Sequence, residues 1–462
     1  MTNILAALRR KSFGLLALWD DNRGAAAVTI AFALTGLVGM AGLATEASNW
    51  YFVSRRMQSA ADAAAFSAAV ALSASDCTSS FGSTNNNCTA QGKALASTAY
   101  NLTDGSNGVT ISFHNPPSTG THTSNQYAVE AVISQAQTRM LSSLFMASNP
   151  TISARAVAVG NVSSGCVLAL NRSNVVDLTN SGNTTMNLSS CSVYVNSDDP
   201  TAALDMNGHV TINSSGVYVT GGISEGQGTI NDGGNTHTNS PPINDPYANV
   251  PVPSTTTQCP KVTVGGLSTG STGDVSLTGG TASLANPTGT CVLNGPGGLS
   301  LTGQSSLTLS PGVYIIDGSN GTASLNLGGQ ATLSGTGVTI VLTGSGSNYA
   351  QAQFAGGSTV TLTAPTSGST KGLAIFQDRN APQCTGTSCN KMVGGSTQDI
   401  TGAIYFPNQA VKFTGNSSTG GPTCTQLIGY ELDFDGTSNL TSSGCNSAGT
   451  SAFGNPTATM VE

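Results

Sequence analysis

Residues 23–69 read "RGAAAVTIAFALTGLVGMAGLATEASNWYFVSRRMQSAADAAAFSAA" and include 21 consecutive uncharged positions, residues 25–45. About 20 apolar residues are enough to cross the hydrocarbon core of a bilayer as a helix. A signal peptide has a shorter apolar region of about 7–15 residues, which ends at a small-residue cleavage site. We therefore predict a retained transmembrane helix over residues 25–47 rather than a cleaved signal.

The helical pattern continues beyond the apolar run, because small and apolar residues recur at helical spacing as far as Ala68. We predict a helical extension over residues 48–76. Four cations precede the span within the basic tail, residues 1–24, and only Arg55 and Arg56 follow it closely. This asymmetry favours a cytoplasmic N-terminus and an extracytoplasmic remainder of a single-pass cell-membrane protein.

Small residues form a stripe on the predicted span, since Ala31, Thr35 and Gly39 are spaced by four. Such spacing lets a second helix approach closely within a bilayer. Glu46 follows the uncharged run directly, where a carboxylate can bind a partner's cation or mark the membrane interface. We predict these four residues as helix-packing positions.

Several motifs of this stretch resemble the N-terminal module of TadG-like proteins of the Flp (tight adherence) pilus system, in the TadE/TadG family. The matching elements are Arg23 and Gly24, Gly42–Ala44 followed by Glu46, the pair Trp50 and Tyr51, the pair Arg55 and Arg56, and Gln58–Ala65 around Asp62. Met57 stands where the family has leucine. The resemblance covers about a tenth of the chain and implies a membrane-anchored protein that works with other pilus-assembly proteins.

Two family features are missing from this sequence. Related pseudopilins are cut after a glycine and carry Glu five positions later, but the fifth residue after Gly24 is Thr29. The resemblance therefore implies no pilin-type processing. Larger TadG-like proteins carry a von Willebrand A-type domain with an Asp-x-Ser-x-Ser metal motif, and this chain has no such motif.

Charged residues are scarce and unevenly distributed. They make up 8% of the 462 residues, far below the ~25% of ordinary soluble domains. Residues 1–160 hold nine Lys/Arg and seven Asp/Glu, whereas residues 161–462 hold six and fifteen. Nucleic-acid binding requires clustered cations, so we expect no nucleic-acid partner.

Every one of the ten cysteines follows the apolar run, as expected if that part of the chain reaches an oxidising compartment. The spacing contains no CxxC repeat and the histidines lie elsewhere, which disfavours a zinc site. Sequence cannot establish connectivity. The simplest pairing joins neighbours, namely Cys77 with Cys88, Cys166 with Cys191, Cys259 with Cys291, Cys384 with Cys389, and Cys424 with Cys445.

Residues 77–160 resemble a small α+β, pilin-like region. "GVTISFH" and "YAVEAVIS" alternate in the manner of strands, "RMLSSLFMA" is typical of a short helix, and "TISARAVAVG" is typical of a closing strand.

Residues 161–462 contain short strand-like runs that return every 10–20 residues or so, separated by Gly, Asn and Ser turns. This pattern is typical of a mainly β solenoid, and we predict a right-handed parallel β-helix, with a β-sandwich as the alternative. Five prolines within residues 240–254 exclude a central strand there and predict a loop or linker.

No catalytic, cofactor-binding or metal-binding motif stands out. Asp433 and Asp435 share one face of a strand, and Asp378 adjoins Arg379, but turn or salt-bridge roles are favoured over chemistry. We expect a non-enzymatic structural or accessory role in Flp-type pilus assembly or surface attachment, without a cofactor. The alternatives are a membrane-tethered β-helix polysaccharide lyase or hydrolase and a carbohydrate-binding adhesin, with cell wall or polysaccharide as the partner.

Overall fold

The computed structural model describes residues 22–73, 87–162, 164–188, 190–264, 267–269, 273–321, 323–386, 389–393, 395–416, 418–419, 424–443, 445 and 448–462. These residues form two compact units. Unit 1 contains the described residues up to Asn161 together with Pro456–Glu462, and unit 2 is Val162–Asn455.

Helix α1 (Asn22–Ser73) runs for 52 residues without a break, so the predicted span and its extension as far as Ser73 form one helix. Residues 74–76 of the predicted extension and residues 1–21 of the predicted basic tail lie outside the described residues. The second half of α1 has a buried face that consists of a stripe of alanines, among them Ala60, Ala64 and Ala68. Alanine exposes little side chain, so neighbouring elements approach the helix axis closely. Helix α2 (Asn87–Tyr100) packs there through Gly92, where an added Cβ would lie 2.9 Å from the Ala64 carbonyl oxygen.

The sheet of unit 1 is built from β1 (Val109–His114), β2 (Ala128–Ala136) and β3 (Thr151–Val162). Neighbouring strands are antiparallel, and the register aligns Ile111 with Ile133 and Ile133 with Ala154. These side chains alternate toward the alanine stripe of α1 and complete the core of unit 1. The three strands confirm the predicted strand runs, whereas the predicted helix in "RMLSSLFMA" is only a 3₁₀ turn, Leu141–Leu144.

The last strand of the chain lies beside β3 in this sheet, not in unit 2. It follows the long succession of strands that make up unit 2. The predicted β region of residues 161–462 therefore ends too late, because residues 456–462 return to unit 1.

The strands after β3 are, in chain order, β4 (Gly165–Ala169), β5 (Leu178–Gly182), β6 (Thr185–Leu188), β7 (Ser192–Val195), β8 (Leu204–Gly208), β9 (Thr211–Asn213), β10 (Gly216–Val219), β11 (Ile223–Ser224), β12 (Thr229–Asn231), β13 (Thr236–His237), β14 (Val262–Val264), β15 (Leu267–Thr269), β16 (Val275–Leu277), β17 (Gly280–Leu284), β18 (Thr290–Leu293), β19 (Gly298–Leu301), β20 (Ser305–Leu309), β21 (Gly312–Asp317), β22 (Ser324–Leu327), β23 (Thr332–Thr336), β24 (Val338–Ser345), β25 (Asn348–Tyr349), β26 (Ala352–Phe354), β27 (Thr359–Thr363), β28 (Leu373–Gln377), β29 (Asn390–Val393), β30 (Thr397–Phe406), β31 (Val411–Thr414), β32 (Ser418–Thr419), β33 (Thr425–Gly429), β34 (Leu432–Phe434), β35 (Asn439–Ser442) and β36 (Pro456–Met460).

The strands of unit 2 form three ladders in which pairing is almost entirely parallel, and a given ladder takes about every third strand. Antiparallel pairing in the described part of unit 2 is limited to β14 with β15 and β17, and β24 with β25. Strand β30 joins two ladders, because its first half pairs with β27 and its second half with β28 and β33. The first ladder runs β11-β8-β5-β34-β31-β29-β26-β22-β19-β16, the second runs β13-β10-β7-β4-β33-β30-β28-β24-β21-β18, and the third runs β12-β9-β6-β35-β32-β30-β27-β23-β20-β17-β14.

Unit 2 starts in the middle of its own ladders. Strand β4 pairs on one side with β7, the next strand of its ladder, and on the other side with β33, near the end of the unit. The chain first builds outward to β13. It then crosses to the opposite end, where Gln258 pairs with Val292, and builds back toward β4. The Pro-rich segment is therefore the crossover between the two ends of the second ladder.

The second ladder is buried on both faces, which explains its near-continuous apolar strands. One face belongs to the main core of unit 2. The other face carries a column of mostly apolar and aromatic side chains in register, which we name the outer column: Tyr218, Tyr194, Leu168, Ile428, Tyr405, Phe376, Val341, Ile315 and Val292.

Candidate functional site

The first part of α1 exposes a large apolar surface among the described residues. Phe32, Leu37 and Met40 project from it without protein cover. Soluble proteins rarely leave a contiguous apolar surface of this size in water. The helix is also long and apolar enough to cross a membrane.

Glu46 lies at the end of this apolar surface, and its carboxylate is hydrogen-bonded within its own chain. Its carboxylate accepts hydrogen bonds from the backbone N–H of Met140 at 2.9 Å, the backbone N–H of Ser142 at 2.9 Å and the Ser142 hydroxyl at 2.6 Å. Only 6% of Glu46 is exposed. One turn earlier, an added Cβ on Gly42 would lie 2.7 Å from Leu141 Cδ1, so glycine gives the segment room to dock.

The other predicted packing residues lie on the uncovered part of the helix. The Thr35 hydroxyl donates to the carbonyl oxygens of Ala31 and Phe32, both at 2.9 Å, so it needs no external partner in lipid. An added Cβ on Gly39 would meet no described atom within 4 Å. The stripe is thus open toward the surroundings, and its role in helix packing stays a prediction.

A carboxylate network closes the sheet of unit 1. Arg155 bonds Glu130, which is buried, and also bonds Glu462 at 2.5 Å. Glu462 further accepts from the N–H and hydroxyl of Thr121, both at 2.9 Å. These hydrogen bonds, led by the Thr121 N–H, lower the pKa of Glu462 to about 2. The network joins the last residue to β3 and its neighbours, and its contacts are structural.

Four disulfides lie within unit 2: Cys166–Cys191, Cys259–Cys291, Cys384–Cys389 and Cys424–Cys445. Each joins cysteines that are neighbours in the sequence. Cys88 is also disulfide-bonded, and Cys77 lies outside the described residues.

The segment 240–258, which we name the strap, runs along the outer column. Ile243 and Tyr247 are buried against it. The Tyr247 hydroxyl donates to Gln426 Oε1 at 3.0 Å and accepts from the Ser451 N–H at 3.0 Å. Burial raises the pKa of Tyr247 far above its usual value, so this hydroxyl stays protonated.

Two arginines hold the strap from the ladder side. Arg379 donates to the carbonyl oxygens of Val250 at 2.8 Å and Tyr247 at 2.6 Å, and Arg172 donates to Asn244 Oδ1 at 3.1 Å. Both arginines line a shallow cavity of about 440 Å³ with Asp245. Nη1 and Nη2 of Arg379 and Nη2 of Arg172 donate to strap oxygens, so the cavity is better explained as part of this clasp than as a catalytic pocket.

The acidic pairs singled out from the sequence have structural partners. Lys412 Nζ lies 2.7 Å from Asp433 Oδ2 and 3.7 Å from Asp435 Oδ2, so its single charge offsets one of the two carboxylate charges. Asp378 accepts from the Asn380 N–H at 2.8 Å and the Thr343 hydroxyl at 2.7 Å, a turn role rather than an ion pair with Arg379. In the part of the chain that the structure describes, no group of three His, Cys, Asp or Glu could hold a metal ion.

Sequence reasoning missed the segment that Glu46 holds. Around the Leu141–Leu144 turn, Met140, Leu144 and Phe145 are strongly exposed. The signal is present in "RMLSSLFMA", an apolar segment for which the sequence predicts only a short helix.

Comparison with known proteins agrees with the N-terminal module. Residues 24–71 match the family described as putative Flp pilus-assembly TadE/G-like, which confirms the resemblance carried by Arg23–Ala65. Neither the curated proteins nor the solved structures contain a match to this chain. The match covers the first part of α1 and its alanine stripe.

Proposed function

We propose that this chain is a single-pass membrane protein with a TadE/G-like module that serves Flp-type pilus assembly or surface attachment as a structural or accessory component. The observation that carries the proposal is the family match over residues 24–71, which falls on a helix with an uncovered apolar surface. The same segment therefore supplies both the membrane anchor and the family assignment.

Orientation follows from charge and from disulfides. More cations precede the span than follow it closely, which favours a cytoplasmic N-terminus. Disulfides persist in oxidising compartments, so a disulfide-bonded unit 2 fits the periplasmic or outer side. The five neighbour pairs, including Cys77 with Cys88, form the proposed covalent framework, which mass mapping without reduction tests directly.

Unit 2 is best interpreted as a right-handed parallel β-helix whose three ladders are its faces. The chain returns to the same ladder about every third strand, and the strands of a ladder pair in parallel, which supports this interpretation. A β-sandwich needs antiparallel sheets, and the described pairing disfavours it. A solenoid of this kind offers a long surface for pilus components, and the stripe Ala31, Thr35 and Gly39 offers a second contact for a partner's membrane helix.

No observation favours the lyase, hydrolase or adhesin alternatives. A polysaccharide lyase needs free carboxylates beside a cation that can act as a base, whereas Lys412 is already paired with Asp433 and Asp435. The family is a pilus-assembly family, which favours a non-enzymatic role.

Deletion of the gene, scored for surface pili by electron microscopy and for attachment, tests the proposal. Complementation should use the full chain and a chain in which a Gly/Ser linker replaces residues 162–455, so that β3 and β36 still share one sheet. We expect the deletion to abolish pili or attachment and the full chain to restore them. Normal piliation and attachment in the deletion strain would refute the proposed function.

A further inference from the structure

The segment Met140–Met146, which we name the apolar loop, carries the most exposed large apolar side chains of unit 1 outside α1. The exposed fractions are 77% for Met140, 76% for Leu144 and 76% for Phe145. Exposure of single apolar residues is ordinary, but a cluster of this kind within one short segment marks an interaction surface.

The loop is held rigidly, so its exposure is not the result of a loose chain. Glu46 accepts from the backbone at Met140 and Ser142. Inside the loop, Phe145 N and Met146 N both donate to the Ser142 carbonyl oxygen, at 2.9 and 2.8 Å. Arg139 clamps its ends by donating to the Met146 carbonyl oxygen and to Asn149 Oδ1. These contacts present Leu144 and Phe145 outward.

The loop lies where the transmembrane run ends. Leu141 packs on Gly42, and the loop is bonded to Glu46, whereas the uncharged run ends at Thr45. A helix that starts near residue 25 rises about 30 Å by residue 45, the thickness of a bilayer's hydrocarbon core. The loop therefore contacts α1 at the level of the helix where Met40 and Leu43 are also exposed.

We propose that the apolar loop inserts into the bilayer leaflet on the side of unit 1, an inference that rests on the proposed membrane anchor. Leu144 and Phe145 enter the boundary between headgroups and acyl chains, as interfacial apolar residues do. Glu46 can lie at that depth because Oε1 accepts from Met140 N and the Ser142 hydroxyl, and Oε2 accepts from Ser142 N. The loop thereby gives unit 1 a second membrane contact beside α1 and limits its rotation and tilt.

The test places a tryptophan on the loop. The full chain, as Phe145→Trp, is reconstituted into phosphatidylcholine vesicles with and without bromine atoms on the upper acyl chain, and the emission of wild type, which has two tryptophans, is subtracted. The matched control is Tyr127→Trp, at a residue that is 67% exposed in the same unit. The carbonyl oxygen of Tyr127 accepts from Gly160 N at 2.8 Å. An added Cβ on Gly160 would lie 2.5 Å from the Ala69 carbonyl oxygen, about 40 Å along α1 from Gly42.

We expect brominated lipid to lower the added emission of Phe145→Trp at least twofold and to leave that of Tyr127→Trp unchanged. Equal, weak quenching in vesicle-bound protein would overturn the inference and leave the anchor intact. A blue-shifted but unquenched Phe145→Trp would also overturn it, since a protein surface, such as a second copy, then covers the loop. If the chain does not float with the vesicles, both the anchor and the loop proposal fail.

Discussion

Tyr247→Phe removes one oxygen atom from the middle of the strap and tests whether the strap is fastened to the second ladder. The hydroxyl both donates to Gln426 Oε1 and accepts from Ser451 N, at 3.0 Å in each case. Tyr247 and Gln426 are each 1% exposed, so no water replaces the deleted hydroxyl at Gln426 Oε1. The ring keeps its edge-to-face contact with Tyr405, because phenylalanine has the same shape.

The magnitude follows from two unsatisfied groups. Leaving a buried donor or acceptor without its partner costs about 1–3 kcal/mol, so we take about 2 kcal/mol for the pair after partial relaxation. Since 1.4 kcal/mol is about a factor of ten, the local opening constant should rise roughly 30-fold. Hydrogen exchange of the full chain in detergent measures this opening at Val250, whose N–H donates to the Tyr247 carbonyl oxygen at 3.0 Å, and at Ser451.

The matched control is Tyr218→Phe on the same outer column. Tyr218 stacks on Tyr194 at 5.0 Å, and its hydroxyl has no hydrogen-bond partner among the described residues. Exchange at Val250 and Ser451 should change less than twofold in the control. If Tyr247→Phe also changes their exchange less than twofold, the hydroxyl does not fasten the strap and the reasoning is wrong.

Three further predictions follow from single features. Burial, followed by the charge of Glu431, raises the pKa of Asp177 well above its usual value, so ionising this carboxyl destabilises the folded protein at pH values above the unfolded pKa of about 3.9. Asp177→Asn should therefore raise the melting temperature at pH 7, and the gain should shrink toward pH 4. A gain that does not depend on pH would contradict this. Replacing Cys424 and Cys445 together by serine opens a loop of separation 21 and should cost about 3 kcal/mol of unfolding free energy relative to oxidised wild type, measured by denaturant titration. The difference should vanish when both proteins are titrated under reducing conditions. The pKa of Glu462 is lowered to about 2, so its stabilising contribution is present above the unfolded value of about 4.3 and is lost as pH falls toward 2. The protection of the Val461 amide, taken relative to its intrinsic exchange rate at each pH, should fall over that window in wild type, and Glu462→Gln should already show low protection at pH 7.

Local patterns predicted the elements that depend on neighbours in sequence. The uncharged run of residues 25–45 and the following alanines predicted one long helix, and α1 is continuous from Asn22 to Ser73. Alternation predicted β1, β2 and β3, and short apolar runs between glycine turns predicted a mainly β region. Each of these signals is a periodicity within about 20 residues, which is the range over which propensity and burial act on the chain directly.

The site depended on contacts that periodicity does not encode. Nothing near Glu46 in the sequence indicates that its carboxylate binds Met140 and Ser142, more than 90 residues away. The composition of "RMLSSLFMA" is compatible with a short helix, which the sequence predicts, and equally with the 3₁₀ turn that the structure contains. Its placement beside the end of the span, and hence its interest as a membrane contact, comes from the packing of Leu141 on Gly42.

The sequence alone is enough to predict an N-terminal helix that resembles the TadE/G-like module, an alanine face for close packing and a cation-poor, strand-rich distal part. The tertiary contacts establish that Leu168 pairs with both Tyr194 and Ile428, that the Pro-rich strap runs along the outer column, and that the last strand returns to β3. The physical reason is that many parallel registers of similar short strands bury nearly equal apolar area. The contacts of the strap with the side chains it covers, and the pairing of the last strand with β3, select one of these registers.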